Sequence, residues 1–216
     1  MLLDQFASDR GKLLDVGAAA GFFVAEADAV GWHAEGIDIA PHLVEWGRTK
    51  LGVRLATGGL DEVEERGAFA ALTMWDYIEH SLDPAGDFEK SHSLLAEGGV
   101  LALSTGDVGS VAARLSGSRW HLLTPRHHNF FFSTQTLRLL LDRTGFDVVW
   151  LGHPGSRYSL AHLAYKLDRS IRLTVTRALA RRVVSSRPGR YGIPLNLFDI
   201  VTVVAKMRES RAATET

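Results

Sequence analysis

Residues Lys12 to Asp38 constrain this chain more than any other stretch. They read Lys12-Leu-Leu-Asp15-Val-Gly17-Ala18-Ala19-Ala20-Gly21-Phe22, then a helical pattern, then Ala34-Glu-Gly-Ile-Asp38. That is strand, glycine turn, helix and strand, with an acid closing the second strand. In a doubly wound sheet this unit forms the crevice where a nucleoside-bearing ligand sits. The middle glycine of a dinucleotide fingerprint, which lets backbone approach a pyrophosphate, is replaced by Ala19. Asp15 stands in the strand before the first glycine, and an acid there suits a cation better than an anion. The expected ligand is therefore phosphate-free and positively charged. Asp38 offers it two carboxylate oxygens as hydrogen-bond acceptors.

The rest of the chain alternates strand and helix, which implies an α/β fold with a doubly wound, mostly parallel sheet. Strands are expected at Lys12–Val16, His33–Ile39, Val53–Ala56, Ala70–Trp75, Val100–Ser104, Phe146–Leu151 and Leu197–Ala205. Phe22, Phe23 and Ala25 are expected to face the sheet from the first helix. Pro41 and Pro84 fit first turns of helices. Ser133 reads as an N-cap, and Leu137, Leu140 and Leu141 give the following helix an apolar face. At 216 residues, 46% hydrophobic and 23% charged, the chain suits one domain, residues 1–207, with a polar tail at 208–216. There are no cysteines, which excludes disulfides and thiolate metal sites. No apolar run is long enough for a membrane span, and the start lacks the layout of a secretion signal. A cytoplasmic protein is the expectation.

The turn resembles motif I of class I S-adenosylmethionine-dependent methyltransferases, whose pattern Asp-x-Gly-x-Gly-x-Gly is met by Asp15-Val-Gly17-Ala18-Ala19-Ala20-Gly21 with Ala19 as the departure. The resemblance implies a seven-stranded Rossmann-like sheet with its last strand antiparallel, and S-adenosyl-L-methionine as cofactor. It implies that Asp15, Gly17, Ala18, Ala19, Gly21 and Phe23 border the donor. Asp38 would hold the ribose hydroxyls, with Ile39 beside it. Gly59 and Leu60 would lie against the adenine. Trp75-Asp76-Tyr77-Ile78-Glu79-His80 follows the fourth strand and resembles the Glu-His run of the ubiquinone- and glycan-type branch. Trp75 and Tyr77 are expected at the donor. Trp120-His121, then Pro125-Arg126-His127-His128-Asn129 and an aromatic run, resembles the same branch.

His128 and His80 are the candidate catalytic residues, because a near-neutral histidine can take a proton from an acceptor hydroxyl. A histidine that merely fixes its loop is the alternative for each. Trp120, Arg126 and His127 are candidate substrate contacts. The implied reaction is methyl transfer to a small-molecule acceptor, a hydroxyl of a sugar, glycolipid or quinone-like compound. A non-catalytic cofactor-binding subunit and a nucleic-acid methyltransferase are the rival readings. The absent Asn/Asp-Pro-Pro-Tyr motif argues against methylation of a base amine. Sequence spacing offers no metal site.

Between the last two strands, residues 152–196 form an insert. Leu160, Leu163, Leu167, Ile171, Val175, Leu179 and Val183 recur every three or four residues, the pattern of an amphipathic helix over Tyr158–Ser185. Residues 157–190 carry nine arginines and lysines against the single acid Asp168, a net +8 in a chain of net −1. A solvated face, a surface for a phosphate-bearing acceptor or anionic membrane headgroups, a nucleic-acid surface, a lid and a dimer contact are all compatible with that charge.

Overall fold

A computed structural model describes residues 2–7, 9–161, 164, 183–184 and 192–208. Its centre is a seven-stranded sheet. The strands are β1 (Lys12–Val16), β2 (His33–Asp38), β3 (Leu55–Thr57), β4 (Phe69–Trp75), β5 (Leu95–Gly106), β6 (Phe146–Gly152) and β9 (Ile200–Met207). Their spatial order is β3-β2-β1-β4-β5-β9-β6. β9 runs antiparallel to both β5 and β6, and the pairings among β1 to β5 are parallel. The order reverses beside β1, so the C-terminal ends of β1 and β4 flank a crevice.

Strand alternation sends apolar side chains to both faces. Leu13, Ala34, Ala71 and Ala102 meet Val24 and Ala27 of α1 (Phe22–Ala29) and Val44 of α2 (Pro41–Lys50). Leu14, Leu72, Met74 and Leu101 meet Phe88 of α3 (Pro84–Leu94) and Leu137 and Leu141 of α5 (Thr134–Arg143). Asp83 caps α3 by accepting from the Gly86 N–H, and Ser133 caps α5 by accepting from Thr136. Near the start, Leu3 is buried and Asp4 accepts from Arg10 and from the Trp32 indole. These residues pack where β2 begins, the edge opposite the crevice.

Several expectations need correction. Phe22 is 62% exposed, because the turn geometry of α1 points Val24 and Ala27 inward. The third strand begins at Leu55, where its register with Gly36 starts, two residues later than expected. A short helix α4 (Val111–Ser116) stands in the 106–132 connection, capped by Ser110. The insert opens as a strand: β7 (Ser156–Ser159) pairs antiparallel with β8 (Gly192–Leu195). The helix expected from Tyr158 to Ser185 otherwise lies almost wholly outside the described residues, and so does the arginine face read from its sequence. Among the described residues no helix is long and apolar enough to cross a membrane.

Candidate active site

The glycine turn after β1 is tied to β2 by backbone. The Gly17 and Ala18 N–H groups both donate to the Ile37 carbonyl, at 2.9 and 3.1 Å. Gly17 has φ +73°, and a Cβ there would lie 2.8 Å from the Tyr77 ring, so only glycine fits. Ala19 also has positive φ, +48°, which costs a non-glycine residue roughly 1–2 kcal/mol. The Ala19 N–H donates to Asp38 Oδ2 at 2.7 Å, which holds the loop in that strained shape. Ala19→Gly is therefore expected to stabilise the fold by about 1 kcal/mol. A chemical denaturation curve with an unmoved midpoint would count against the strain.

The other oxygen of Asp38, Oδ1, accepts from the Ala40 N–H at 2.8 Å. Each carboxylate oxygen keeps further lone-pair capacity toward the crevice. Asp38 thus fixes the loop and also lines the cleft. The crevice itself is a cleft of about 480 Å³. Of the residues expected at the donor, Gly17, Asp38, Ile39, Gly59, Leu60 and Tyr77 line it, and so does His80, expected as a catalytic residue. Gly59 is held by its N–H donating to Glu62 Oε1 at 2.8 Å.

Other expected donor contacts sit elsewhere. Asp15 is 3% exposed and does not line the cleft; its Oδ1 accepts from the Thr73 hydroxyl at 2.6 Å, across to β4. Burial, only partly offset by that hydrogen bond, pushes its pKa from 3.8 to about 7. Phe23 and Trp75 stack edge to face with ring centroids 5.2 Å apart, and neither is part of the cleft wall. Ala18 and Gly21 are buried, and the Gly21 N–H donates to the Ala18 carbonyl at 2.8 Å across the turn. What the sequence reading missed is the acidic wall. Asp61, Asp76, Asp83 and Asp87 also line the cleft, three of them close after β4. Asp76 has φ +50° and accepts from the Ser104 hydroxyl at 3.0 Å, so the start of this wall is pinned to β5. Carboxylates gathered around an apolar cleft favour a cationic occupant.

At His80 the cleft wall meets a second segment far away in sequence. The Asn129 and Phe130 N–H groups donate to the Glu79 carbonyl at 2.8 and 3.1 Å, and the Asn129 side chain donates to the His80 carbonyl at 2.9 Å. His80 Nδ1 lies 2.7 Å from the His127 carbonyl oxygen. A carbonyl only accepts, so Nδ1 carries the hydrogen and Nε2 is the accepting nitrogen of the neutral ring. His128 meets His80 edge to face, with centroids 4.8 Å apart. Burial first, and then the neighbouring His80, push the His128 pKa below its ordinary 6.5. Glu79 is buried beside them, its Oε2 without a hydrogen bond and its pKa raised by desolvation. Ligand atoms of Glu79, His80 and His128 lie within 4.8 Å of one another, a grouping that fits a divalent cation and that sequence spacing does not reveal.

The expected substrate contacts fare differently. Arg126 and His127 are exposed. Trp120 is 4% exposed and its indole N–H donates to Asp199 Oδ2 at 3.0 Å, so it braces its loop from within.

Comparison with known proteins follows the same lines. Residues 2–151 match the family described as "Methyltransferase domain". Ubiquinone biosynthesis O-methyltransferases of Xanthomonas campestris are 32% identical over 101 residues, which is 44% of this chain and 42% of theirs, so the chain spans less than half the length of these relatives. Among solved structures, the YcgJ protein of Bacillus subtilis superposes with TM-score 0.66 at 16% identity over 97% of both chains. A SAM-dependent methyltransferase of Archaeoglobus fulgidus gives 0.63 at 15% identity, over 95% of this chain and 89% of that one. With the family match over most of its length, the motif I turn and the seven-stranded sheet, the chain belongs to the methyltransferase-domain family, in its class I, S-adenosylmethionine-dependent form.

Proposed function

We propose that the protein moves the methyl group of S-adenosylmethionine to a hydroxyl oxygen of a small acceptor bearing a sugar or quinone-like ring. The contact of His128 with His80, which lines the donor cleft, carries this reading. The donor suits the cleft on three grounds. Asp38 has acceptors for ribose hydroxyls, Gly17 lets Tyr77 approach the turn, and the carboxylate wall matches the donor's positive charges. That donor supplies a methyl already activated as an electrophile. The chain's own residues position and deprotonate. An acceptor hydroxyl placed against His128 or His80 gives its proton to an imidazole nitrogen as the oxygen–carbon bond forms and the carbon–sulfur bond breaks. Similarity to O-methyltransferases of ubiquinone biosynthesis supports oxygen as the acceptor atom. The acidic cleft wall disfavours a nucleic-acid acceptor.

Calorimetry tests the donor half. S-adenosylhomocysteine is expected to bind and NAD to show negligible heat; tighter binding of NAD would sink the reading. Asp38→Ala is expected to weaken S-adenosylhomocysteine by on the order of 1–3 kcal/mol, the range for hydrogen bonds to a charged group.

A further inference from the structure

We propose that His153, Asp107 and Phe198 form a subsite that grips the ring of the acceptor, a neutral hydroxylated ring of either sugar or phenol. The proposal rests on the acceptor reading above and names the residues that would recognise that acceptor. Asp107 lies just past β5 and Phe198 just before β9, two neighbouring strands whose ends meet at the donor-cleft edge of the sheet. Ser104, three residues before Asp107, bonds Asp76 of the cleft wall.

Asp107 is 5% exposed and heavily anchored. Oδ1 accepts from the Gly109 N–H at 2.8 Å, and Oδ2 accepts from the Thr134 hydroxyl at 3.0 Å. The same Oδ2 lies 3.1 Å from His153 Nε2. A carboxylate only accepts, so Nε2 carries the hydrogen, and Nδ1 is the accepting nitrogen of the neutral ring. The side chain is 23% exposed, and among the described residues its Nδ1 has no hydrogen-bond partner. This is a histidine oriented by a buried acid, with one acceptor left to use.

Phe198 supplies the second, independent observation. It is 62% exposed and has φ +53°, a conformation that is uncommon for a bulky residue. Its N–H donates to Asn196 Oδ1 at 2.8 Å, while the Asn196 amide donates to the His153 carbonyl at 2.7 Å. The loop therefore holds the strained phenylalanine in place, its ring centroid 6.5 Å from that of His153. Strain kept at an exposed aromatic points to a functional contact. An aromatic face stacks on a ring, and an accepting nitrogen beside it takes a ring hydroxyl. Two buried acids, Asp107 and its backbone partner Asp199, lie below and favour a neutral ring over an anionic one.

Ligand-observed saturation-transfer NMR tests this with catechol and methyl β-glucoside as probes, each titrated with and without S-adenosylhomocysteine. The wild-type protein is expected to bind at least one probe, and which one separates phenol from sugar. His153→Ala and Phe198→Ala are each expected to weaken that probe roughly tenfold. Phe198→Tyr, which keeps the aromatic face, is expected to retain it. Melting temperature and S-adenosylhomocysteine affinity are expected to stay at wild-type values in all three variants, which a purely structural role would not allow. A wild-type protein that binds neither probe overturns the subsite, as do alanine variants that bind like wild type. Failure of S-adenosylhomocysteine to bind would instead overturn the donor reading, and the probe titrations without it would still decide the subsite.

Discussion

His128→Ala is expected to lower turnover by about 100-fold or more, the range for losing a general base, with S-adenosylhomocysteine affinity little changed. The geometry behind this is the contact of His128 with His80, a residue of the cleft wall. Because burial holds the His128 pKa below 6.5, the ring is neutral, and able to accept a proton, at physiological pH. The sign follows. Rate is expected to rise with pH through a midpoint below 6.5 and to level off above it. In the alanine variant that limb disappears. Turnover unchanged by the substitution would assign His128 to support of the 124–130 turn, leaving proximity as the source of rate. The Glu79, His80 and His128 grouping adds a control. If a chelator removes activity from the wild-type protein, the histidines act as ligands and not as bases.

Asp15→Asn is expected to make the protein more stable at pH 8 and to leave it nearly unchanged at pH 4. The folded state holds the Asp15 proton up to about pH 7, while the unfolded chain releases it near 3.8. Between those values the folded state binds more protons, so wild-type stability falls as pH rises. Above pH 7 the full cost applies, on the order of 4 kcal/mol at 1.36 kcal/mol per pH unit. Asparagine cannot ionise, and its oxygen can still accept from Thr73. Denaturant midpoints across pH 4 to 8 should therefore fall more steeply for wild type than for the variant. Parallel curves would show that Asp15 ionises in the folded protein without penalty.

The glycine turn and its flanking strands were legible because they are local. Asp15, Gly17, Gly21 and Asp38 fall within one strand-turn-helix-strand unit, and short-range geometry decides where each lies. Side-chain directions were not legible even there. Alternation along β1 turns Asp15 toward Thr73 of β4, and helix geometry turns Phe22 outward. The acceptor half was legible only as candidates. His80 and the His127 carbonyl are 47 residues apart, and only the sheet order brings them together. Nothing local marks Trp120 as a buried donor to Asp199, 79 residues away. The insert misled for a different reason. The helix was expected to begin at Tyr158, but pairing with Ile193 makes that residue part of a strand.

During synthesis, β6 leaves the ribosome with no strand to pair with. Among the described residues its sole neighbour in the sheet is β9, which begins 48 residues after β6 ends. β5 waits too, since β9 fills its far side with Val201, Val203 and Ala205, all fully buried in the finished sheet. Until β9 arrives the nascent chain carries a bare, apolar strand edge, the feature that recruits other chains into aggregates. A ribosome that stalls anywhere in the insert therefore releases a chain in its most adhesive state. Expression yield should respond to codon choice between residues 153 and 199 more than to codon choice in the motif I turn, although that turn lies in the catalytic half.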